Sequence, residues 1–435
     1  MGTSGVLDFL GRTYRVGPDA EELTGRPRHW MLWTSWAAMA AIGVLQYGFG
    51  SLVPQLLARG WSLAGLLWLL ALWTVFQAGA GFPAAFLRER GRIGPRATMI
   101  TGAGLVALGP FALAHGSGVV ALLGYSVLSG TGAGLVYATC TSTVAKWYPE
   151  RAAGKVSVVT GAFAYGSVPF AVAFLLAPLP VALDVAAVLI GSVVAAAGLL
   201  VRDPPADWWP PHLDPREWAV REPRAVRQYS AGEAVHTGVL TLMYAIVFCA
   251  SAVSLFDVTF LALLGDRLDA GVAVVAVCTG LLLGMNGGGR ALAIRLSERV
   301  GRVRTLGLVL TLLGAGQVCF AGAATSGSTA LLVVSALVAG AGGGAFYPLF
   351  ASLAREYFGE RSALETHGVV YSAKAFGGVL GVGLAALATP AWGFGPVFLV
   401  AGALALGSAA LCQRLRQPGR TPVLPGPATR PHLAG

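Results

Sequence analysis

Residues 130–151 read GTGAGLVYATCTSTVAKWYPER, and residues 340–361 read GAGGGAFYPLFASLAREYFGER. Set in register at an offset of 210, Gly130, Gly132, Gly134, Tyr137, Ser142, Glu150 and Arg151 recur as Gly340, Gly342, Gly344, Tyr347, Ser352, Glu360 and Arg361. A second match, Arg92 and Gly94 against Arg299 and Gly301, repeats at 207. Two matched segments in the same order mark a chain built from two like halves. The glycines are spaced as in phosphate-binding turns, but such a turn needs a strand before it and a soluble βαβ unit. Here they sit inside apolar runs, where glycines four apart serve close helix packing.

Composition sets the solvent for those runs. Of 435 residues, 55% are hydrophobic and only 11% charged, against roughly 25% charged in ordinary soluble domains. The apolar residues come in runs of about 20, long enough to cross ~30 Å of hydrocarbon. A soluble multidomain enzyme is excluded, and an all-α, polytopic membrane protein is expected. The net charge of +10 would suit nucleic acid only if the basic residues gathered on one face; they are dispersed in short loops instead. The five cysteines (Cys140, Cys249, Cys278, Cys319, Cys412) lie in or beside apolar runs with no metal-ligand spacing, so neither a disulfide framework nor a metal site is expected. No cleaved signal peptide is evident in the polar first 29 residues.

Twelve spans are predicted, at about 30–57, 62–86, 97–115, 118–145, 156–177, 182–201, 237–264, 271–294, 305–324, 328–354, 367–388 and 395–412. Residues 1–29 form an N-terminal segment, 30–201 one six-helix bundle, 202–236 a charged, proline-rich linker, 237–412 a second bundle, and 413–435 a disordered tail. Loops alternate sides, and 26 of the 30 basic residues fall on the side holding both termini and the linker. Arg59 and Arg267 fall opposite. The positive-inside rule makes the basic side cytoplasmic, in a plasma membrane.

Two basic residues remain inside the spans, Arg290 and Lys374. Arg290 lies eight residues before Glu298, about 12 Å along a helix, and Lys374 nine after Glu365, roughly 13 Å. Both therefore sit near the midplane, where a charge costs on the order of 3 kcal/mol or more and usually marks a wet path. A structural ion pair is the plainer alternative. Asp184 and Asp257 are the two acidic residues within spans; Asp184 is in the wrong half, and Asp257 is either a coupling partner or a boundary residue. Neither His115 nor His367 has a visible partner, and no catalytic cluster appears.

Taken together, the twelve spans, the doubled loop motif and the repeat resemble the major facilitator superfamily, whose fold is two pseudo-symmetric six-helix halves. Within it, Gln46-Tyr47, GRIGPR at 91–96, the string ending KWYPER, Asn286-Gly287 with Arg290, and Tyr371-Ser372-Ala373-Lys374 are similar to the oxalate/formate antiporter family. The resemblance implies that Arg290 and Lys374 hold a carboxylate substrate, with Gln46, Tyr47, Tyr137, Tyr347 and Tyr371 lining its cavity. It also implies a gate on the cytoplasmic side from Glu89, Arg90 and Arg92 in one half and Glu298, Arg299 and Arg302 in the other; plain topology would place arginines there too. Gly91 stands where the superfamily usually has Asp, and Gly343 and Tyr371 stand where oxalate carriers have Trp, which implies a wider pocket.

The expected function is secondary transport of small mono- or dicarboxylates by a monomer without cofactors. With both cations unpaired, the empty cavity carries about +2 and resists occlusion; a dicarboxylate neutralises it, giving obligate exchange. If Asp257 pairs with one cation, a monocarboxylate suffices and protons become the coupling ion. Efflux of a drug-like compound and a non-transporting anion sensor stand as alternatives.

Overall fold

The structure, a computed structural model, describes residues 4–7, 13–221, 225–359 and 363–419. Among these are twelve helices long and apolar enough to cross a membrane. Spans 1–6 are His29–Leu57, Leu63–Arg88, Pro95–His115, Gly118–Trp147, Pro149–Leu176 and Leu179–Leu200. Spans 7–12 are Val239–Arg267, Val272–Val300, Arg302–Ser326, Thr329–Phe358, Glu365–Trp392 and Phe394–Cys412. The largest departure from the sequence-based bounds is span 5, which a turn at Pro149–Arg151 starts early. Helix ends follow local chemistry. Ser62 accepts the Gly65 N–H at the head of span 2, and Pro95 opens span 3, where its missing N–H costs nothing. Span 9 ends on Gly327, whose φ of 70° suits a residue without Cβ.

The glycine ladder makes the same contact in both halves. Gly130 and Gly134 lie on the carbonyls of Trp73 and Gln77 in span 2, and Gly132 on that of Gly102 in span 3. Gly340 and Gly344 lie on the carbonyls of Leu282 and Asn286 in span 8, and Gly342 on that of Val309 in span 9. Any Cβ at these positions would meet those backbones, so small residues let the helices close. The halves meet in the same manner. Spans 5 and 8 cross with Gly161 and Gly287 each against the other's carbonyl, span 1 places Gly50 on the carbonyl of Val258 in span 7, and Gly378 of span 11 packs on Thr74 of span 2. Large apolar side chains left exposed, among them Leu176, Val181 and Leu387, face outward where lipid covers them.

Several spans are irregular near mid-depth. Span 1 breaks at Gly48, between helices His29–Tyr47 and Phe49–Leu57, and span 5 between Tyr165 and Val168. Span 10 breaks between Gly343 and Phe346. Spans 4 and 11 contain wider π-type turns, Leu122–Ser129 and Val379–Leu384. Such irregular backbone survives at membrane depth where protein buries it. Tyr125, from the π-type turn of span 4, donates its hydroxyl to the Leu45 carbonyl beside the break in span 1.

The membrane face that carries the linker departs from the all-helical expectation. Strands β1 (Ser4–Leu7) and β2 (Thr13–Val16) pair antiparallel, and β2 pairs in parallel with β3 (Trp208–Trp209) from the linker. Tryptophans cement this cap. Trp208 packs on Trp147 with ring centroids 5.0 Å apart, and Trp209 meets Tyr14 edge-on and Trp218 at a tilt. The linker also holds helices Pro215–Arg221 and Ala231–His236, the second closed by a reciprocal Ser230–Glu233 cap. The tail expected to be disordered lies outside the described residues from 420 onward.

Candidate functional site

Arg290 and Lys374 project from spans 8 and 11 of the second half, and both are buried, at 1% and 2% exposure. Their partners come mostly from the first half. One terminal nitrogen of Arg290 donates to the Thr160 carbonyl in span 5 at 2.8 Å. The other donates to the Tyr47 hydroxyl at 3.0 Å and to Asn286 Oδ1 at 3.1 Å, while Arg290 Nε is buried with no partner. Lys374 Nζ donates to Gln46 Oε1 and Gln77 Oε1, each at 2.8 Å, and to the Tyr371 hydroxyl at 3.4 Å. No carboxylate among the described residues forms an ion pair with either cation. Neutral oxygens alone hold two buried positive charges, which repays only part of their desolvation.

Aromatic rings wall the space between them. The Arg290 guanidinium lies 5.5 Å from the Tyr347 ring centre, and Lys374 lies 5.4 Å from that of Phe163 and 5.6 Å from that of Tyr371. Tyr371 stacks on Tyr137 at 5.3 Å and leans on Tyr347 at 5.8 Å, and Phe163 meets both Tyr47 and Tyr137 edge-on. Ring faces attract cations, so the walls hold the charges without neutralising them. The break in span 1 aims Gln46 and Tyr47 inward, and Tyr347 follows directly after the break in span 10. All seven residues expected around a substrate thus converge in one place.

Three residues in the same cluster carried no signal of charge. Gln77 and Asn286 occupy corresponding places in spans 2 and 8, 209 residues apart and each beneath a glycine of the repeat; each amide oxygen holds one cation. An offset between the two repeat offsets of 207 and 210 links the lone amide in TVFQAGAG to Asn286, a signal that could have drawn attention to Gln77. Phe163 is an ordinary apolar residue in sequence. The room expected beside Gly343 is filled, because Asn286 and Ser254 pack against it.

The acidic residues and histidines are placed differently from expectation. Asp257 is buried, but both its oxygens accept from Gln317 Nε2 in span 9 at 2.8 Å, so it pairs with neither cation. Asp184 is bound by His115 at 2.8 Å on an exposed surface, which supplies the partner His115 lacked. His367 approaches Tyr371 at 5.9 Å between ring centres, with a buried Nδ1 that has no partner.

On the linker face the ion pairs form away from most of the expected gate. Arg92, Glu298 and Arg299 are exposed, Arg90 covers the Phe86 ring at 3.9 Å, and the Glu89 side chain lies outside those described. Arg302 does engage, donating to Glu356 at 3.0 Å and to Ser297 at 3.2 Å. The strongest cluster involves Arg88, which ends span 2 and is buried rather than free in the loop. It donates to both oxygens of Asp203 at 2.9 and 2.7 Å, to Thr143 and to the Thr139 carbonyl; Lys146 adds a 3.2 Å contact to Asp203. Burial acts to raise the Asp203 carboxyl, but Arg88, Lys146 and Thr143 outweigh it and hold it below its ordinary value.

The sequence matches the family profile of the Major Facilitator Superfamily over residues 35–293 and 242–434. It is 23% identical over 346 residues, 78% of this chain and 80% of the relative, to the oxalate:formate antiporter of Oxalobacter formigenes. It is 27% identical over 371 residues, 82% of this chain and 87% of the relative, to an uncharacterised 38 kDa protein in the 23S RNA operon of Thermoproteus tenax. Among solved structures, a peptide transporter POT in complex with sulfate superposes with a TM-score of 0.63 at 16% identity, covering 89% of this chain and 95% of that one.

Proposed function

The chain belongs to the Major Facilitator Superfamily and is a membrane transporter, and from that premise we propose that it exchanges small organic anions, mono- or dicarboxylates of the oxalate and formate kind, by alternating access. One observation carries the reading: Arg290 and Lys374 are buried together with neutral acceptors only. The distant likeness to an oxalate:formate antiporter supports the same substrate class. A carboxylate matches the planar fork of Arg290 bidentately, while Lys374 offers a movable point charge. Because the cations belong to one half and most of their acceptors to the other, an entering anion takes over contacts that join the halves.

The charge count favours exchange over proton symport. Asp257 is committed to Gln317, so the empty cavity keeps about +2 and a dianion brings it near zero before occlusion. The linker face is then the cytoplasmic one in a plasma membrane, and one chain holds a complete site, consistent with a monomer. Lys374, Arg290 and the five expected lining residues bind substrate, and Arg302 with Glu356 contributes to closure on the cytoplasmic side.

The test is uptake of labelled oxalate, formate and lactate into proteoliposomes, with and without carboxylate inside, at equal pH. Stimulation by internal carboxylate is expected. Uptake driven only by an imposed proton gradient would replace exchange with symport, and binding without movement would mark an anion sensor. Neither binding nor uptake would remove this substrate class.

A further inference from the structure

Asn286 touches spans 1, 7 and 10 as well as the cation on its own helix. Its Oδ1 accepts from Arg290 on its own helix and from the Tyr47 hydroxyl of span 1 at 3.4 Å. Its Nδ2 reaches Ser254 of span 7 at 3.5 Å. Its other face lies against Gly343 and Gly344 of span 10, where a Cβ on Gly344 would land on Oδ1 itself. Those two glycines sit at the break between Thr329–Gly343 and Phe346–Phe358. Asn286 is 1% exposed. One amide therefore joins the cation to the point where span 10 bends.

We propose that Asn286 is a positioning residue that transmits the occupancy of Arg290 to the break in span 10, and through it to the movement of Phe346–Phe358. The proposal rests on the carboxylate reading above. In the present arrangement Asn286 Oδ1 is held by two donors, Arg290 and Tyr47. A bidentate carboxylate takes one N–H from each of two guanidinium nitrogens. Approaching through the unpartnered Nε and the terminal nitrogen that now serves Tyr47 and Asn286, it competes directly for the bond to Asn286. Asn286 Oδ1 then loses its charged donor, and a buried acceptor left short must find another. Ser254 is within reach, and because Gly343 and Gly344 set only backbone against the amide, its turning bears directly on the span 10 backbone at the break. Tyr347, three residues on, carries the ring over Arg290, so bending at the break also changes the wall of the site.

Two measurements decide it. In the first, oxalate binding to the detergent-purified chain and oxalate exchange in proteoliposomes are compared for wild type, Asn286→Ala and Gly344→Ala. Asn286→Ala removes one acceptor of Arg290 and Gly344→Ala presses on the Asn286 backbone, so some loss of binding is expected in both, but exchange is expected to fall at least about tenfold further than binding does. Binding lost in proportion to exchange would make Asn286 an ordinary ligand-shell residue, and wild-type exchange in either variant would overturn the relay. The second needs no substrate: hydrogen–deuterium exchange of peptides covering 340–350 in Arg290→Ala, Asn286→Ala and the double variant. Arg290→Ala is expected to raise uptake there only while Asn286 is present; an equal increment in both backgrounds would overturn the proposal. A wild type that binds no carboxylate removes the substrate reading, and the deuterium cycle still decides the relay.

Discussion

Arg290 and Lys374 ask different things of a ligand. The guanidinium engages three acceptors in fixed directions, Thr160, Tyr47 and Asn286, and an ammonium at the same place cannot reproduce that fork. Arg290→Lys is therefore expected to raise the half-saturating carboxylate concentration for exchange at least about tenfold although the charge is kept; a wild-type value would count against the binding role. Both cations were legible in the sequence because a charge inside an apolar run is costly and conspicuous. Their amide partners were not. Gln77 has no charge to mark it, and Asn286 stood in a quoted string without a role, since a neutral amide near mid-depth reads equally as a helix bridge. Asp257 was visible for the same reason as the cations. Its partner Gln317, 60 residues on, was not, because nothing in either span states which faces meet.

Between elements, the close crossings and the ion cluster on the linker face are the exposed points of the design. Spans 5 and 8 touch backbone to backbone at Gly161 and Gly287, next to the strand of contacts holding Arg290. Gly161→Ala inserts a methyl where a carbonyl lies, and overpacking of this kind costs about 1–3 kcal/mol. A lower unfolding midpoint in detergent, with exchange slowed at least about tenfold, is expected; unchanged exchange would show that the crossing opens freely. Asp203 ties the ends of spans 2 and 4 to the start of the linker. Its carboxyl is held below the ordinary 3.8, so the cluster stabilises at all pH values above that and fades only as pH falls through the lower folded value. Asp203→Asn is expected to cost about 2 kcal/mol at pH 7, less than for a fully buried pair because Asp203 keeps some water. Thermal unfolding should show the gap from wild type closing below pH 3.8. The twelve helices and their order were readable from hydropathy, whereas this cluster was not: Arg88 looked like one more loop arginine, and its partner lies 115 residues away.

At the scale of the whole molecule, the count of buried charge makes a prediction about voltage. A cavity of about +2 loaded with a dianion crosses nearly neutral, so dianion-for-dianion exchange moves no net charge, while dianion-for-monoanion exchange moves one per cycle. An imposed membrane potential is expected to change the rate of oxalate/formate exchange and leave oxalate/oxalate exchange unaffected; sensitivity of both would mean that the cavity charge is not +2. The doubled architecture was readable from residues 130–151 and 340–361, because the same glycine contacts are used twice. The cap on the linker face was invisible to the same reading, since its strands are too short to show a pattern and pair across most of the first half. That pairing also bears on how the chain is made. Val16 pairs with Trp209, so a strand that leaves the ribosome among the first residues must stay open until six helices have been inserted. At about 5–20 residues per second that wait is roughly 10–40 s. Once Trp209 emerges, every strand of the cap is available, so the cap can close while the second half is still unsynthesised.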